Sequence, residues 1–484
     1  MKQFDEYRVL KILINRCKNS DVQFMLNCYL SPLYLFLLEL NQTTKEGHRK
    51  VNSIYKIIRK FKILLYHFKN FLKDWITEFS TQKYRVKKNI IFWPVEPSHL
   101  NQMIPVAKKM KKNDYIFATN KRVIYKKLLL ESIPCIFLST RCLFFGKSKT
   151  NPSSKELVSL LCTEGFFLKK AEQFIKYFNL FYELKSKKIF KIFEEIFKKI
   201  SPKLIIVGND ITVEGRMAVF VAKQYGIKSA CIQHGAIVPP LEQDRIADHF
   251  IIYGKTAQET FIKLGIPNEK LAPLGAPYLD KVDFKNKEMN PDIKEKLGLT
   301  KERPYILVAL SGYGHSTSLD HFNEIVESVF RLTKKMHEFD FIFKLHRKDK
   351  IQNYSDLLTK LKPNVKIIEN GSNGYPQDVF EWLRGCRLLI TGASTVAIEA
   401  MLFECPVMTI DYFSEYKEID FIKSGATIHI TDKNELEHQI KRAICDPASF
   451  GEVKERASLF SKFYFNEVNG FASDRVAKYF ESLI

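Results

Sequence analysis

The sequence lacks the cysteine spacing of a disulfide-stabilised or zinc-binding protein. Its 484 residues include nine cysteines, an odd number, and no two of them form a CxxC pair, which is the usual signature of such sites. It also has no internal repeat and no low-complexity segment. What is present is an apolar fraction of 45% and an aromatic fraction of 13%, which indicates a folded chain with room for two or three domains.

Long hydrophobic runs are missing as well. The most apolar stretch, 24–40, is interrupted by Asn27, Pro32 and Glu39 and is shorter than the roughly 20 apolar residues that a membrane span needs. The first residues do not show the pattern of a secretory signal, because charged residues interrupt the first apolar residues and no small-residue cleavage site follows. We therefore expect a cytoplasmic protein, with peripheral attachment to the inner face of the cell membrane left open.

Acidic residues are scarce in the first 200 positions. Residues 1–200 carry 39 Lys and Arg against 16 Asp and Glu, whereas residues 201–484 carry 37 against 38. This excess predicts an anionic partner for the first part of the chain, such as a membrane surface, an anionic or lipid-linked glycan, or nucleic acid. No helix-turn-helix, zinc-finger or RNA-recognition module is present, so nucleic acid is not expected.

Residues 54–79 form a candidate amphipathic helix within this basic part. Apolar residues recur there at three- and four-residue steps, and lysines and arginines occupy the opposite side. Such a helix either packs on a neighbouring domain or lies on an anionic membrane, and both interpretations remain open.

Strand and helix patterns alternate through the remaining chain, which is typical of doubly wound parallel sheets. We expect two Rossmann-like α/β domains facing a cleft, with functional residues in the loops that leave the strands. The predicted boundaries are 1–87 for a basic helical extension, 88–280 for the first α/β domain, 281–300 for a linker and 301–484 for the second α/β domain. Among the predicted elements are strands at 203–207 and 407–410 and a helix at 183–199.

The segment Leu388–Asp411 carries the strongest indication of a ligand. An apolar strand runs into a short loop of small and hydroxyl residues, and a helix follows at once. This order places backbone N–H groups and the hydroxyls of Ser394 and Thr395 at a helix N-terminus, where anions are favoured. Glu399 lies one turn further on and points back toward the same end. These three residues are candidates for nucleotide binding, although Ser394 could simply cap the helix.

The pattern resembles the donor half of glycosyltransferases with the GT-B architecture, in which a small-residue turn, Ser-Thr and a helical Glu hold the nucleotide. QHG at 233–235, DHFIIYG at 248–254 and PLGAPYLD at 273–280 resemble enzymes that build bacterial surface polysaccharides, including capsule-type transferases and their epimerase-like relatives. The resemblance covers 200–484, and 88–200 in outline. It implies a nucleotide-sugar donor in the second domain and an anionic or lipid-linked acceptor in the first.

Two further loops of the second domain carry candidate donor-binding residues. One is rich in glycine and hydroxyl groups, which can admit phosphate but also fit a plain turn. The other loop forms a cationic corner that is suited to a diphosphate. Alternatively, this corner is simply exposed and binds no ligand. The corner is similar to the His-Pro motif of polysialyltransferases and polyol-phosphate transferases, with Arg in place of Pro. The candidates are Ser311, Gly312, Gly314 and His315 in the first loop and His346 and Arg347 in the second.

Four residues of the first domain follow predicted strands and could act as the base that such a transferase needs. His99 occupies a loop where many inverting GT-B enzymes resemble one another in placing a His, and Glu214 resembles the acidic-Gly motif of polysialyltransferase-like enzymes. Each also has a structural interpretation, because His99 could belong to a capping loop, Glu214 could favour a helix N-terminus and His234 could fix its loop. The candidates are His99, Asp210, Glu214 and His234.

Neither a metal nor another cofactor is expected, because the sequence has no DxD triplet and its His and Cys residues lack ligand spacing. No Glu-x7-Glu pair frames the helix after Ser394, which disfavours the retaining GT-B subgroup. We predict an inverting glycosyltransferase of surface polysaccharide assembly. The alternatives are a CDP-polyol phosphotransferase, a UDP-sugar epimerase-like enzyme that needs no acceptor, and a non-catalytic membrane or polyanion adaptor.

Overall fold

The computed structural model describes most of the chain from residue 87 onward and divides into two compact units. The described residues are 87–138, 183–235, 237, 241–299, 303–310, 317–346, 349, 351–354, 362–369, 379–417 and 419–484. Residues 1–86 of the predicted extension and the candidates Ser311, Gly312, Gly314, His315 and Arg347 lie outside them. Among the described residues, the first unit comprises those up to Tyr253 with Ala257–Asp280 and Asn469–Ile484, and the second comprises Gly254–Thr256 and those of Lys281–Val468.

The first unit is built on a seven-stranded sheet in which every strand pair is parallel. Its strands are β1 (Ile90–Trp93), β2 (Tyr115–Thr119), β3 (Cys135–Phe137), β4 (Leu204–Val207), β5 (Lys228–Ile232), β6 (His249–Ile252) and β7 (Leu271–Pro273), in the spatial order β3-β2-β1-β4-β5-β6-β7. Its helices are α1 (Leu100–Lys109), α2 (Arg122–Leu130), α3 (Glu183–Ile200), α4 (Val213–Gln224) and α5 (Lys255–Lys263), followed near the chain end by Ala472–Ser482.

Both faces of this sheet are buried, because helices cover each side. Ile91 and Trp93 of β1 point to the face that Phe193 of α3 covers. Ile90 and Phe92 point to the opposite face, where Phe480 of the C-terminal helix packs. Strands buried on both faces are continuously apolar rather than alternating, as the IIFW and LIIV segments of β1 and β4 are.

The second unit contains a six-stranded sheet, again parallel at every strand pair. Its strands are β8 (Tyr305–Val308), β9 (Asp340–Lys344), β10 (Val365–Ile368), β11 (Leu388–Thr391), β12 (Val407–Ile410) and β13 (Ile428–Ile430), in the order β10-β9-β8-β11-β12-β13. Its helices are α6 (Pro291–Leu297), α7 (Leu319–Thr333), α8 (Phe380–Leu383), α9 (Val396–Leu402), α10 (Asp420–Lys423), α11 (Leu436–Cys445) and α12 (Gly451–Phe465), which leaves Ala472–Ser482 as α13.

These two sheets confirm the predicted fold class of two doubly wound, Rossmann-like α/β units. In each sheet the strand order reverses direction once, between β1 and β4 and between β8 and β11. Ligands of doubly wound sheets bind outside the carboxyl ends of the strands at such a reversal. No helix within the described ranges is both long and apolar enough to cross a membrane.

Helix α13 packs on α1 and belongs to the first unit, whereas the sequence interpretation grouped 301–484 together. The Asp280 carboxylate anchors its start by accepting hydrogen bonds from the backbone N–H groups of Ala472, at 3.0 Å, and Ser473, at 2.7 Å. This is an N-cap supplied from a distant part of the chain, and the negative charge also suits the positive end of the helix dipole.

Substitution Asp280→Ala should destabilise the protein by about 1 kcal/mol, because two N–H groups of α13 lose their acceptor. Asp280→Asn should recover only part of that loss, since the two N–H groups bind different carboxylate oxygens and the single amide oxygen can accept from only one of them. Urea denaturation of both variants tests this, and an Ala variant as stable as the Asn variant would show that the cap contributes nothing.

Candidate functional site

At the strand reversal of the first unit, the loop after β1 brings His99 against the end of β4. His99 closes a 3₁₀ turn at Pro97–His99 and is 1% exposed. Its Nδ1 accepts hydrogen bonds from the backbone N–H groups of Val95, at 3.1 Å, and Glu96, at 3.2 Å. The Glu96 side chain accepts in turn from the His99 backbone N–H, which completes a capping box. The structural role foreseen for His99 is therefore present.

Gly208, directly after β4, provides the space that the His99 ring occupies. A Cβ at this position would lie 2.1 Å from Nδ1 and 2.3 Å from Cγ of His99, far inside van der Waals contact. Any side chain at residue 208 would displace the ring. Sequence reasoning did not single out Gly208, because the need for a glycine arises from a neighbour 109 positions away.

The His234 ring packs against the His99 ring. Their centroids are 4.3 Å apart with an interplanar angle of 72°, an edge-to-face arrangement. His234 is half-buried, and it follows β5 at the same carboxyl edge of the sheet. Of the four predicted catalytic residues, the structure therefore brings these two into contact.

A hydrogen-bond network fixes the loop that carries His234. The Gln233 side chain accepts from the Tyr253 backbone N–H at 2.8 Å and donates to the Gly235 carbonyl at 3.0 Å. The Tyr253 hydroxyl accepts from the Gly235 N–H at 3.1 Å and from the Gln102 amide at 2.8 Å. Gly235 has a φ of +93°, a conformation that glycine adopts readily. The QHG motif is thus a rigid turn that holds His234 in place.

Asp210 lies in the loop after β4, fully buried in an ion pair with Arg245. Its carboxylate also accepts from the backbone N–H groups of Ile246, at 2.7 Å, and Ala247, at 3.0 Å. Burial alone would raise the pKa of Asp210, but the charge and hydrogen bond of Arg245, together with the backbone hydrogen bonds from Ala247 and Ile246, outweigh burial and lower it. Arg245 pairs with Glu242 as well. This geometry favours a positioning role for Asp210, because a paired, buried carboxylate is poorly placed to meet a substrate.

Glu214 is half-buried in the first turn of α4. The hydroxyl of Thr212 caps this helix by accepting from the Gly215 N–H at 3.3 Å. A Cβ on Gly215 would lie 1.7 Å from the Asn209 carbonyl oxygen, so the glycine lets α4 begin directly against the loop after β4. Because Glu214 is half-buried and follows β4, it remains a candidate acid or base at the same edge of the sheet as His234.

In the second unit, the strand reversal is tied together by Thr391 at the end of β11, whose hydroxyl donates to the Ala309 carbonyl after β8 at 2.6 Å. Ser394 and Thr395 follow in the loop and are half-buried, and Glu399 is buried in α9. The Ser394 hydroxyl accepts only a long, 3.5 Å contact from Val396 N–H, which is weak for a helix cap. The three residues stand where the sequence interpretation placed them, with their role in binding still a prediction.

His346 follows β9 and lines a small cavity of about 10 Å³, which is partly open to solvent. Its lining combines apolar side chains from β8, α7 and β9 with polar groups. Tyr354 donates to the Asp349 carboxylate at 3.0 Å within this lining. The lining residues are Val308, Leu310, Val326, Phe343, Lys344, Leu345, His346, Asp349 and Tyr354.

A polar cluster at the start of α7 was not foreseen. The Glu415 carboxylate accepts from Thr317 and from both the N–H and the hydroxyl of Ser318, and it contacts His321 Nδ1 at 3.1 Å. His321 is fully buried, and its Nε2 accepts from the Tyr412 N–H at 3.1 Å. The proton of a neutral His321 therefore resides on Nδ1 and faces Glu415. Local sequence gives little sign of this cluster, because Glu415 is nearly a hundred residues from its partners.

Within the described part of the chain, no three His, Cys, Asp or Glu side chains are grouped as metal ligands. The prediction that the enzyme needs no metal is left open by this finding.

Comparisons with known proteins define the family. The family model described as UDP-N-acetylglucosamine 2-epimerase matches residues 183–479, more than half of the chain. No protein of curated function matches the sequence.

Several solved structures share the fold at low sequence identity. The S. aureus MnaA–UDP co-structure is 17% identical, with 82% of this chain and 98% of that chain covered and a TM-score of 0.55. UDP-GlcNAc 2-epimerase from Neisseria meningitidis, bound to UDP-GlcNAc, is 15% identical, with 81% and 99% covered and a TM-score of 0.53. Anabaena Alr3699/HepE in complex with UDP and glucose is 15% identical, with 82% and 100% covered and a TM-score of 0.51.

The two Rossmann-like units place the protein among the nucleotide-sugar enzymes with a GT-B-like fold. Within that class, the chain belongs to the UDP-N-acetylglucosamine 2-epimerase family. The prediction of a glycosyltransferase is therefore wrong, and the epimerase-like alternative fits better. The assignment to surface polysaccharide or capsule assembly rested on the transferase resemblance and falls with it. Attachment to the membrane surface rested on the basic first part of the chain and is not supported by these comparisons.

Replacing Asp210 should reveal how much the buried ion pair contributes. Asp210→Ala leaves two backbone N–H groups without their acceptor and leaves Glu242 as the remaining ionic partner of Arg245, and we expect a loss of about 3 kcal/mol in the free energy of unfolding, the lower end of the range for a broken buried pair. Glu214→Ala, four residues away and half-buried, should lose at most about 1 kcal/mol. Chemical denaturation of both variants makes the comparison, and equal losses would contradict it.

The Glu415 cluster should make the free energy of unfolding depend on pH in the acidic range. Burial raises the pKa of Glu415, but hydrogen bonds from Ser318, Thr317 and His321 outweigh it and lower the pKa from 4.5 to about 2. Because the folded-state pKa is depressed, the stabilisation is complete above pH 4.5 and is lost as the pH falls toward 2.

Glu415→Gln should therefore be less stable than the wild type at neutral pH and show a flatter fall in melting temperature from about pH 4.5 to about pH 2. Glu452→Gln, an exposed glutamate on α12, is the matched control and should follow the wild-type profile. Parallel profiles for the wild type and Glu415→Gln would exclude the cluster as a source of acid sensitivity.

Proposed function

We propose that the protein inverts the configuration at C2 of a UDP-linked N-acetylhexosamine and needs no acceptor. The observation that carries this proposal is the family match over 183–479. The matched range begins with α3 and includes β4 to β7 of the first unit and all six strands of the second. Two structural neighbours, the MnaA co-structure and the Neisseria enzyme, hold UDP and UDP-GlcNAc, which supports a UDP-sugar as the substrate here.

Inversion at C2 by proton exchange requires one proton to leave C2 and another to arrive on the opposite face. Because no carbonyl adjoins C2, the electron pair of the broken C–H bond forms a C1=C2 double bond and expels UDP from C1, and UDP adds back to C1 when the new proton arrives. The protein must therefore supply groups that accept and donate protons at the sugar. In the first unit, His234 and Glu214 suit this task because they are half-buried at the carboxyl edge of the sheet. Asp210 and His99 are buried, and we assign them to positioning.

The second unit has groups suited to the nucleotide. Ser394 and Thr395 present hydroxyls in the loop after β11, and His346 follows β9 on the other side of β8. These groups lie at the carboxyl edge near a strand reversal, where nucleotides bind in doubly wound sheets. No metal takes part in the proposed reaction.

Incubation with UDP-GlcNAc in D2O, with EDTA and without an acceptor, tests the proposal. Proton NMR should show the C2 epimer and the loss of the C2 proton signal, because the returning proton comes from solvent. His234→Asn should lower the rate by roughly 10²–10⁴-fold if this ring transfers a proton, whereas Glu452→Gln should leave it unchanged. A UDP-GlcNAc signal that stays unchanged until a glycan acceptor is added would contradict an epimerase.

A further inference from the structure

The backbone around His99 determines where its ring proton resides. Two N–H groups, those of Val95 and Glu96, point at Nδ1, so this nitrogen must offer a lone pair. A neutral imidazole with an accepting Nδ1 carries its proton on Nε2. A doubly protonated ring would place a third N–H against these two donors. His99 is therefore held neutral in a single tautomer.

His99 acts through His234 rather than on a ligand directly. It is 1% exposed, whereas His234 is half-buried, and the two rings meet edge to face at 4.3 Å. The His99 ring packs against the backbone of Gly208, and the capping box holds its loop. A fixed ring presents a fixed contact surface to its neighbour.

We propose that His99 is the positioning residue for His234, which is the imidazole that meets the substrate and changes its protonation state. The identity of that substrate as a UDP-sugar rests on the function proposed above. Because the backbone keeps His99 neutral, only His234 of the pair gains a proton, and no second positive charge opposes it. The His234 ring packs against His99, and the hydrogen bonds of the QHG turn fix the backbone that carries it.

Two substitutions separate this role from simple capping of the loop. In His99→Asn, the amide oxygen can accept from Val95 and Glu96, but the ring beside His234 is lost. We expect an unchanged melting temperature, a KM for the UDP-sugar within about twofold, and a kcat lowered about 10- to 100-fold by misplacement of His234. His99→Phe keeps a ring but loses the acceptor, so its melting temperature should fall.

The control is His249→Asn, the same change at a histidine of the first unit whose partner is Tyr479; its kcat should match that of the wild type. Wild-type kcat in His99→Asn would overturn the proposal, because His99 would then only cap its loop.

A spectroscopic measurement decides the question without activity. Long-range ¹H–¹⁵N spectra of ligand-free, histidine-labelled protein should show His99 with an unprotonated Nδ1 and a protonated Nε2, and His99→Asn should shift the ring signals of His234. A protonated Nδ1 on His99, or His234 signals that do not change in the variant, would overturn the proposal. Absence of epimerisation by the wild type would instead refute the proposed function, and the spectra would still decide the role of His99.

Discussion

Parallel strands cannot be joined by tight turns, and this constraint governs both units. Each connection must return across a face of the sheet, so both faces become covered and the strands between them become apolar. Polar residues are then concentrated in the loops at the strand ends. His99, Gly208 and His234 meet at one such edge, and Thr391 ties another together. The candidate site is a product of the sheet topology as much as of individual residues.

The side chains that hold the loops in place are buried, whereas the side chains suited to acid–base chemistry are partly exposed. Asp210, Arg245 and the Nδ1 side of His99 are enclosed and satisfied by backbone or ionic partners. His234 and Glu214 retain partial exposure at the same edge. Low dielectric strengthens the enclosed contacts, which makes the loop geometry rigid, and rigid loops orient the more exposed side chains. The geometry of this edge therefore depends on residues that are enclosed within the protein.

Much of the architecture could be predicted, because apolar strands and amphipathic helices are local patterns. The strand predicted at 407–410 is observed as Val407–Ile410, and the helix predicted at 183–199 as Glu183–Ile200. Long-range partnerships could not be predicted. The pairing of Asp210 with Arg245 and of Glu415 with the start of α7 joins segments that carry no local mark of each other.

The reaction class was missed for a related reason. Transferases and epimerases of this fold class both handle a nucleotide sugar, and the residues around Ser394 indicate that shared requirement. Whether an acceptor also binds is not encoded in those loops. The resemblance thus identified the fold and the class of substrate, while the family match over 183–479 was needed to correct the reaction.

Helix α13 has a consequence for biosynthesis. The first unit needs Phe480 to cover one face of its sheet, yet the ribosome makes the whole of Lys281–Val468 before it reaches that helix. During this interval the apolar side chains of β1 and β4 on that face stay partly uncovered. The amino-terminal unit therefore cannot complete its core until the unit that follows it in the chain has been synthesised, and incomplete chains expose apolar surface of the kind that chaperones recognise.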